Sequence, residues 1–284
     1  MFQLYVGLVR NGEWYNHAEC VPLQGGVLAL LDSKGKTGGQ RILQIVKSAV
    51  PSLYTASGKE YKMKEQDYFD FPFVDSQKVN RESMKLFSGE KHPTFDESFY
   101  CNRCSRAGRE RYTTIKESWD LLIERGQIDE TYLKSPDEMR FRTELPVGIE
   151  VEPGKSVSGG IFNVILREHL TLGELIQVQD NSFAMETEAN MACATWDLEI
   201  KEVEGMTERE LNILRRNPKE SFTKKYLVHQ EDVDAMIETP EAGMNAEFRK
   251  VKCQHCGAEI GGHLDFTNFF SFYTQKATVR APHR

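Results

Sequence analysis

Two cysteine pairs are the residues of this chain best suited to chemistry: Cys101-Asn102-Arg103-Cys104 and Cys253-Gln254-His255-Cys256, the second followed by Gly257. Two intervening residues let both thiolates of a pair face one tetrahedral ion. A glycine after the second cysteine permits the tight turn in which backbone amides point at sulfur. Together the pairs supply four sulfur ligands, a set that suits zinc in a structural role, because four protein ligands leave no open position for water or substrate. Iron also accepts four thiolates, and a colourless protein would exclude it. Cys104 and Cys253 are 149 positions apart. A shared ion therefore requires the residues between them to form an insertion whose ends lie close together, as domain termini often do. Two alternatives stay open. In one, separate sites recruit His263 to Cys253 and Cys256, or His17 to Cys20, at spacings that are not distinctive; in the other, the thiols are unligated. Cys20 and Cys193 read as unligated, and Cys193, among Met191, Ala192 and Trp196, as a small buried apolar residue. A redox pair of the thioredoxin kind does not fit, since neither pair has a βαβ context.

Other candidates are thinner. Gly35-Lys36-Thr37 resembles the end of a phosphate-binding loop, but that motif needs a glycine where the chain has Leu30. Arg103, Arg106, Arg109 and Arg111 crowd the loop beside the first pair, interrupted by Glu110. Such a cluster could serve phosphate or an acidic partner, but in an acidic chain internal salt bridges or a subunit contact are the favoured reading. Phe266, Phe269, Phe270, Phe272 and Tyr273 follow the second pair too densely for a small ribbon to bury them all, so they point either to core packing or to another chain. There is no GxSxG elbow, no HExxH helix and no histidine paired with a nucleophile. The expectation is a protein with no catalytic residue and no small-molecule substrate.

The elements that must position the cysteines read as mixed. Phe2, Leu4, Val6 and Leu8 alternate as in a strand with one buried face. Gly25-Gly26 reads as a turn before the apolar segment Val27 to Leu31. Ile42, Leu43, Ile45 and Val46 suit one face of a short helix that ends before Pro51. Thr114 and Glu117 form a capping-box pattern, with Ile115, Trp119, Leu122 and Ile123 as an apolar stripe and Gly126 as the cap, which predicts a helix directly after the first pair. Strands are expected from Phe141 to Leu170, with turns at Pro153-Gly154 and Gly159-Gly160. Thr171/Glu174 and Thr207/Glu210 are two further capping boxes, the second opening a helix with Leu211 and Leu214 that Pro218 stops. The fold class is α+β, of small sheets and short helices with a four-cysteine, zinc-ribbon-like clamp joining distant segments. The polar stretch Lys134-Ser135-Pro136-Asp137 suggests three units: 1–138 with the first pair, 139–250 as a hairpin plus helices, and 251–284 as the second pair with an aromatic and mildly basic arm.

The 284 residues, 39% hydrophobic and 28% charged, are enough for a sizeable core. A formal net charge of -7 excludes a surface that grips nucleic acid over its whole extent, leaving only a local basic patch. The first twelve residues lack the pattern of a secretory signal, and no apolar run approaches the roughly 18 residues of a membrane span. A reducing cytoplasm is the expected setting, where paired cysteines favour metal over disulfide.

The first cysteine pair with Arg109-Glu110-Arg111-Tyr112 and Trp119 is one part of a larger pattern. Glu144-Leu145-Pro146-Val147-Gly148 leads to Val164-Ile165-Leu166-Arg167-Glu168, and a late Cys-x-x-Cys-Gly is followed by aromatics. Together these segments resemble the baseplate hub and tail-assembly proteins of contractile-tailed bacteriophages, over about residues 98 to 273. The resemblance implies a structural component of the virion tail or baseplate, assembled in the host cytoplasm. It would bind other tail or baseplate proteins and do no chemistry. A zinc-ribbon regulator that binds nucleic acid, and an assembly chaperone that leaves before the particle matures, are the competing expectations.

Overall fold

The computed structural model describes residues 1–27, 36–101, 103–104, 112–126, 128–150, 160–179, 195–200, 231, 235 and 247–263. The chain is a mixture of helices and small antiparallel sheets. The expected turns at 153–154 and 159, the helix after Thr207, most of the segment 27–31, Cys193 and the aromatics after the second cysteine pair lie outside the described residues.

The first sheet runs in the order β1 (Phe2–Arg10), β2 (Glu13–Ala18), β3 (Ser52–Tyr54) and β4 (Glu60–Lys62). Asn11 and Gly12 join β1 to β2 with φ of 54° and 76°. That is the two-residue turn whose left-handed positions Asn-Gly favours, and Arg10 pairs with Glu13 across it. β1 does not bury one face only. Gln3 pairs with His17 and Leu8 with Tyr15, so Leu4 to Gly7 stand against Asn16 alone. This bulge carries Leu4 and Leu8 into the main core and Tyr5 and Val6 into a second cluster with Val74 and Met139. Gly7 has a φ of +74°, and a Cβ there would lie 2.3 Å from the Tyr15 carbonyl oxygen.

Three helices close over this sheet. In α1 (Gly38–Ala49), Thr37 and Gln40 make a reciprocal cap, and Ile42, Leu43, Ile45 and Val46 are buried as the spacing predicts. A short α2 (Glu65–Phe69) leads to α3 (Phe73–Ser88), which starts at Pro72 and ends at Gly89 with φ of 71°. The main core joins Leu4, Leu8 and Tyr15 to α1, Leu53, Phe71 and Val79. Leu172 also belongs to it. That residue opens α5 (Leu172–Gln179), where the expected capping box is present: Glu174 N donates to Thr171 Oγ1 at 3.3 Å and Thr171 N to the Glu174 carboxylate at 2.9 Å.

Two hairpins and a three-stranded sheet make up the rest of the described chain. β5 (Thr94–Tyr100) pairs with β6 (Tyr112–Ser118) over its full length, from Thr94 opposite Ser118 to Tyr100 opposite Tyr112. The helix expected to begin near Thr114 is therefore a strand up to Ser118. Helix α4 (Trp119–Glu124) begins at Ser118, whose Oγ accepts from Leu121 N at 3.3 Å. The run Tyr112-Thr113-Thr114-Ile115 is rich in aromatic and β-branched residues, and a paired strand outweighs the local Thr-x-x-Glu pattern. Trp119, Leu122 and Gly126 keep their expected roles, two in the core and one as a cap with φ of 70°. β7 (Arg140–Glu150), β8 (Gly160–Arg167) and β9 (Thr195–Ile200) form an antiparallel sheet in that order. β7 is an edge strand and bulges between Glu144 and Ile149, so Pro146 costs no ladder bond in a central strand. Finally β10 (Glu247–Lys252) pairs with β11 (Glu259–His263).

Candidate metal centre

Each cysteine pair lies at the end of a hairpin. Cys101 follows β5 directly, and Cys253 follows β10. The second turn is fully described and shows how its sequence builds a sulfur cradle. Gly257 takes a φ of +69°, its N–H donates to the Cys253 carbonyl at 2.9 Å, and Cys253 N donates to the Ala258 carbonyl at 2.8 Å. That closes the loop tightly enough for His255 N to approach Cys253 Sγ at 3.4 Å. The Ala258 amide faces the Cys256 thiol in the same way. Amides aimed at sulfur stabilise thiolate over thiol.

The two turns meet. All four Sγ atoms lie within 4.8 Å of one another, with Cys101 to Cys256 at 3.7 Å and Cys104 to Cys253 at 3.8 Å. A disulfide needs about 2.05 Å. A tetrahedron with metal–sulfur bonds of about 2.3 Å has edges of about 3.8 Å, which these two separations match. Cys101 and Cys253 are buried, while Cys104 is half-buried and Cys256 exposed, so one side of the cluster faces inward and the other solvent. The four cysteines thus occupy a geometry that suits one metal ion. No protein-family model, no curated protein and no solved structure matches the chain.

Electrostatics fit the same geometry. Burial and the neighbouring thiols of Cys101, Cys253 and Cys256 push the Cys104 thiol up to about 12. The Ala258 amide favours the Cys256 thiolate, but burial and the thiols of Cys101 and Cys253 outweigh it and raise this group too. Four sulfurs packed this closely resist carrying four negative charges by themselves, and a dication is the compensation that such a cluster accepts.

The first hairpin is fixed to the N-terminal core at its base. Trp119 Nε1 donates to Glu130 at 2.7 Å, and the same carboxylate accepts from Tyr5 Oη at 3.1 Å and Arg81 at 3.3 Å and pairs with Lys78 at 3.1 Å. Arg81 also lies 5.3 Å from the Trp119 ring and 3.3 Å from Asp120. Burial opposes ionisation of Glu130, yet the Trp119 hydrogen bond and the two cations prevail and hold its carboxyl below the usual range. No sequence pattern announces this hub, because its members come from four segments with no shared period.

The remaining candidates fall elsewhere. Thr37, from the broken phosphate-loop pattern, is the cap of α1. Nδ1 of His17 contacts Asn16 Oδ1 at 2.8 Å, and Cys20 packs on α3, with Ser83 Oγ at 3.9 Å and its thiol pushed up to about 12 by burial. Neither is part of the four-sulfur cluster. Arg103 is exposed between the first two cysteines; Arg106, Arg109 and Arg111 lie outside the described residues, as do Phe266, Phe269, Phe270, Phe272 and Tyr273.

Proposed function

We propose that Cys101, Cys104, Cys253 and Cys256 bind one zinc ion as a structural clamp of the zinc-ribbon kind, one hairpin contributing each pair. The observation that carries this reading is the spacing of 3.7 and 3.8 Å between sulfurs that belong to pairs 149 residues apart. A four-thiolate shell is complete, so the ion's contribution is to folding, not to substrate activation. The protein is then a non-enzymatic assembly component whose surfaces are held in place by the clamp. The sequence resemblance supplies the setting: a bacteriophage tail, with the chain as a baseplate hub component bound to other tail proteins. Among the described residues, no helix is long and apolar enough to cross a membrane.

The clamp and the setting are tested separately. Metal analysis of the purified protein is expected to give one zinc per chain, and a colourless solution excludes iron. Protein analysis of purified virions is expected to find the chain at a fixed stoichiometry with tail proteins. Its presence in infected cells but absence from particles would replace the hub reading with that of an assembly chaperone.

A further inference from the structure

The four sulfurs of the cluster are unequally shielded. Cys101 and Cys253 are buried and Cys104 is half-buried, whereas Cys256 is exposed, in a turn whose residues 254–257 all face solvent. A small solute therefore meets Cys256 first. From its sulfur, the Cys101 Sγ of the other hairpin lies 3.7 Å away. Cys253, the pair mate of Cys256, is engaged differently. The His255 amide faces its sulfur at 3.4 Å, and the bonds from Gly257 N to its carbonyl and from its own N to Ala258 fix its place in the turn. Drawing that sulfur toward Cys256 works against all three contacts.

We propose that Cys256 is an oxidation site for hydrogen peroxide and similar small two-electron oxidants, and that Cys101 resolves it, so that a disulfide between the hairpins takes over the clamp as the ion leaves. The inference rests on the zinc reading above. A zinc-bound cysteine is a thiolate, the form that peroxide attacks. The Cys256 sulfur bonds to one peroxide oxygen as the O–O bond breaks, giving a sulfenic acid and releasing hydroxide. The Cys101 thiolate then attacks the Cys256 sulfur, the S–S bond forms and the remaining oxygen departs as a second hydroxide. Two thiolates have lost two electrons, and the peroxide has gained them. With two of its four ligands consumed, the zinc dissociates, and Cys104 and Cys253 take up protons. Closing 3.7 Å to the about 2.05 Å of a disulfide takes about 1.7 Å, a movement that rotation of two side chains can share. The bridge joins the same hairpins as the ion, so the clamp persists in oxidising as well as reducing surroundings.

The test uses the whole chain, reduced and shown by metal analysis to hold one zinc. Hydrogen peroxide is added, a zinc-binding dye follows release, and a parallel sample contains dimedone to trap sulfenic acid. One zinc per chain should be lost, any dimedone adduct should sit on Cys256, and a non-reducing peptide map of the dimedone-free sample should show Cys101 joined to Cys256. Dithiothreitol with added zinc should then restore the metal content. The proposal is overturned if the bridge joins any other two cysteines, if dimedone marks another member of the cluster, if Cys256 proceeds to sulfinic acid without a bridge, or if the zinc stays bound. A starting protein without zinc would overturn the clamp itself, and that result is in hand before any oxidant is added.

Discussion

The carboxylate of Asp75 is fully buried and accepts from three consecutive backbone amides of the β1 bulge: Tyr5 at 2.6 Å, Val6 at 3.1 Å and Gly7 at 2.7 Å. It replaces the partners that β2 cannot offer there. Asp75→Asn turns an amide donor toward one of these N–H groups and should cost about 1–3 kcal/mol in urea unfolding at pH 7. Burial raises the Asp75 carboxyl from 3.8 to about 6, against the pull of the three amides and Lys78. The folded state therefore takes up this proton more readily than the unfolded chain. The stabilisation is complete below about pH 4 and is lost as pH rises through about 6. The stability difference between wild type and Asp75→Asn should thus shrink from pH 4 to pH 7, on the order of a few kcal/mol. At this scale the cysteines were legible and Asp75 was not. A Cys-x-x-Cys pair advertises its ligand geometry in four residues, whereas the partners of Asp75 are backbone amides about 70 positions away, which no side-chain pattern records.

Among the elements, β1 depends most on a single backbone position. The bulge needs Gly7 both for its left-handed φ and for its closeness to Tyr15 and Asn16. Gly7→Ala should destabilise by at least about 3 kcal/mol in the same assay, since strain and a backbone clash add. The alternation of Phe2, Leu4, Val6 and Leu8 announced the strand but not the bulge, because a bulge changes which face a residue occupies without changing composition. Asn11-Gly12 was a readable hairpin signal that the apolar pattern overshadowed. The helix around Trp119 begins four residues later than its Thr-x-x-Glu pattern predicts, at Ser118 instead of Thr114. Its Thr-x-x-Glu pattern is local, and the strand that overrides it, β5, lies upstream of the cysteine loop. The capping box of α5 is legible in the sequence because its donors and acceptors are all within four residues.

At the scale of the whole molecule, the two hairpins should behave as one unit. The N-terminal core, from Leu4 to Leu172, contains none of the four cysteines, so it should survive chelation. Hydrogen exchange in β5, β6, β10 and β11 should rise together, by at least about tenfold, when a strong chelator removes the ion. The cysteine pairs announce this closure from the sequence although they lie 149 positions apart, whereas the path of the chain between them carries no comparable motif. The most direct measurement is native mass spectrometry of the purified chain beside its Cys101→Ser and Cys253→Ser variants. One zinc per wild-type chain, lost from either variant, is the expected result. Two metals per chain, none, or a Cys253→Ser protein that keeps its zinc while Cys101→Ser loses it would contradict a single ion joining the two hairpins.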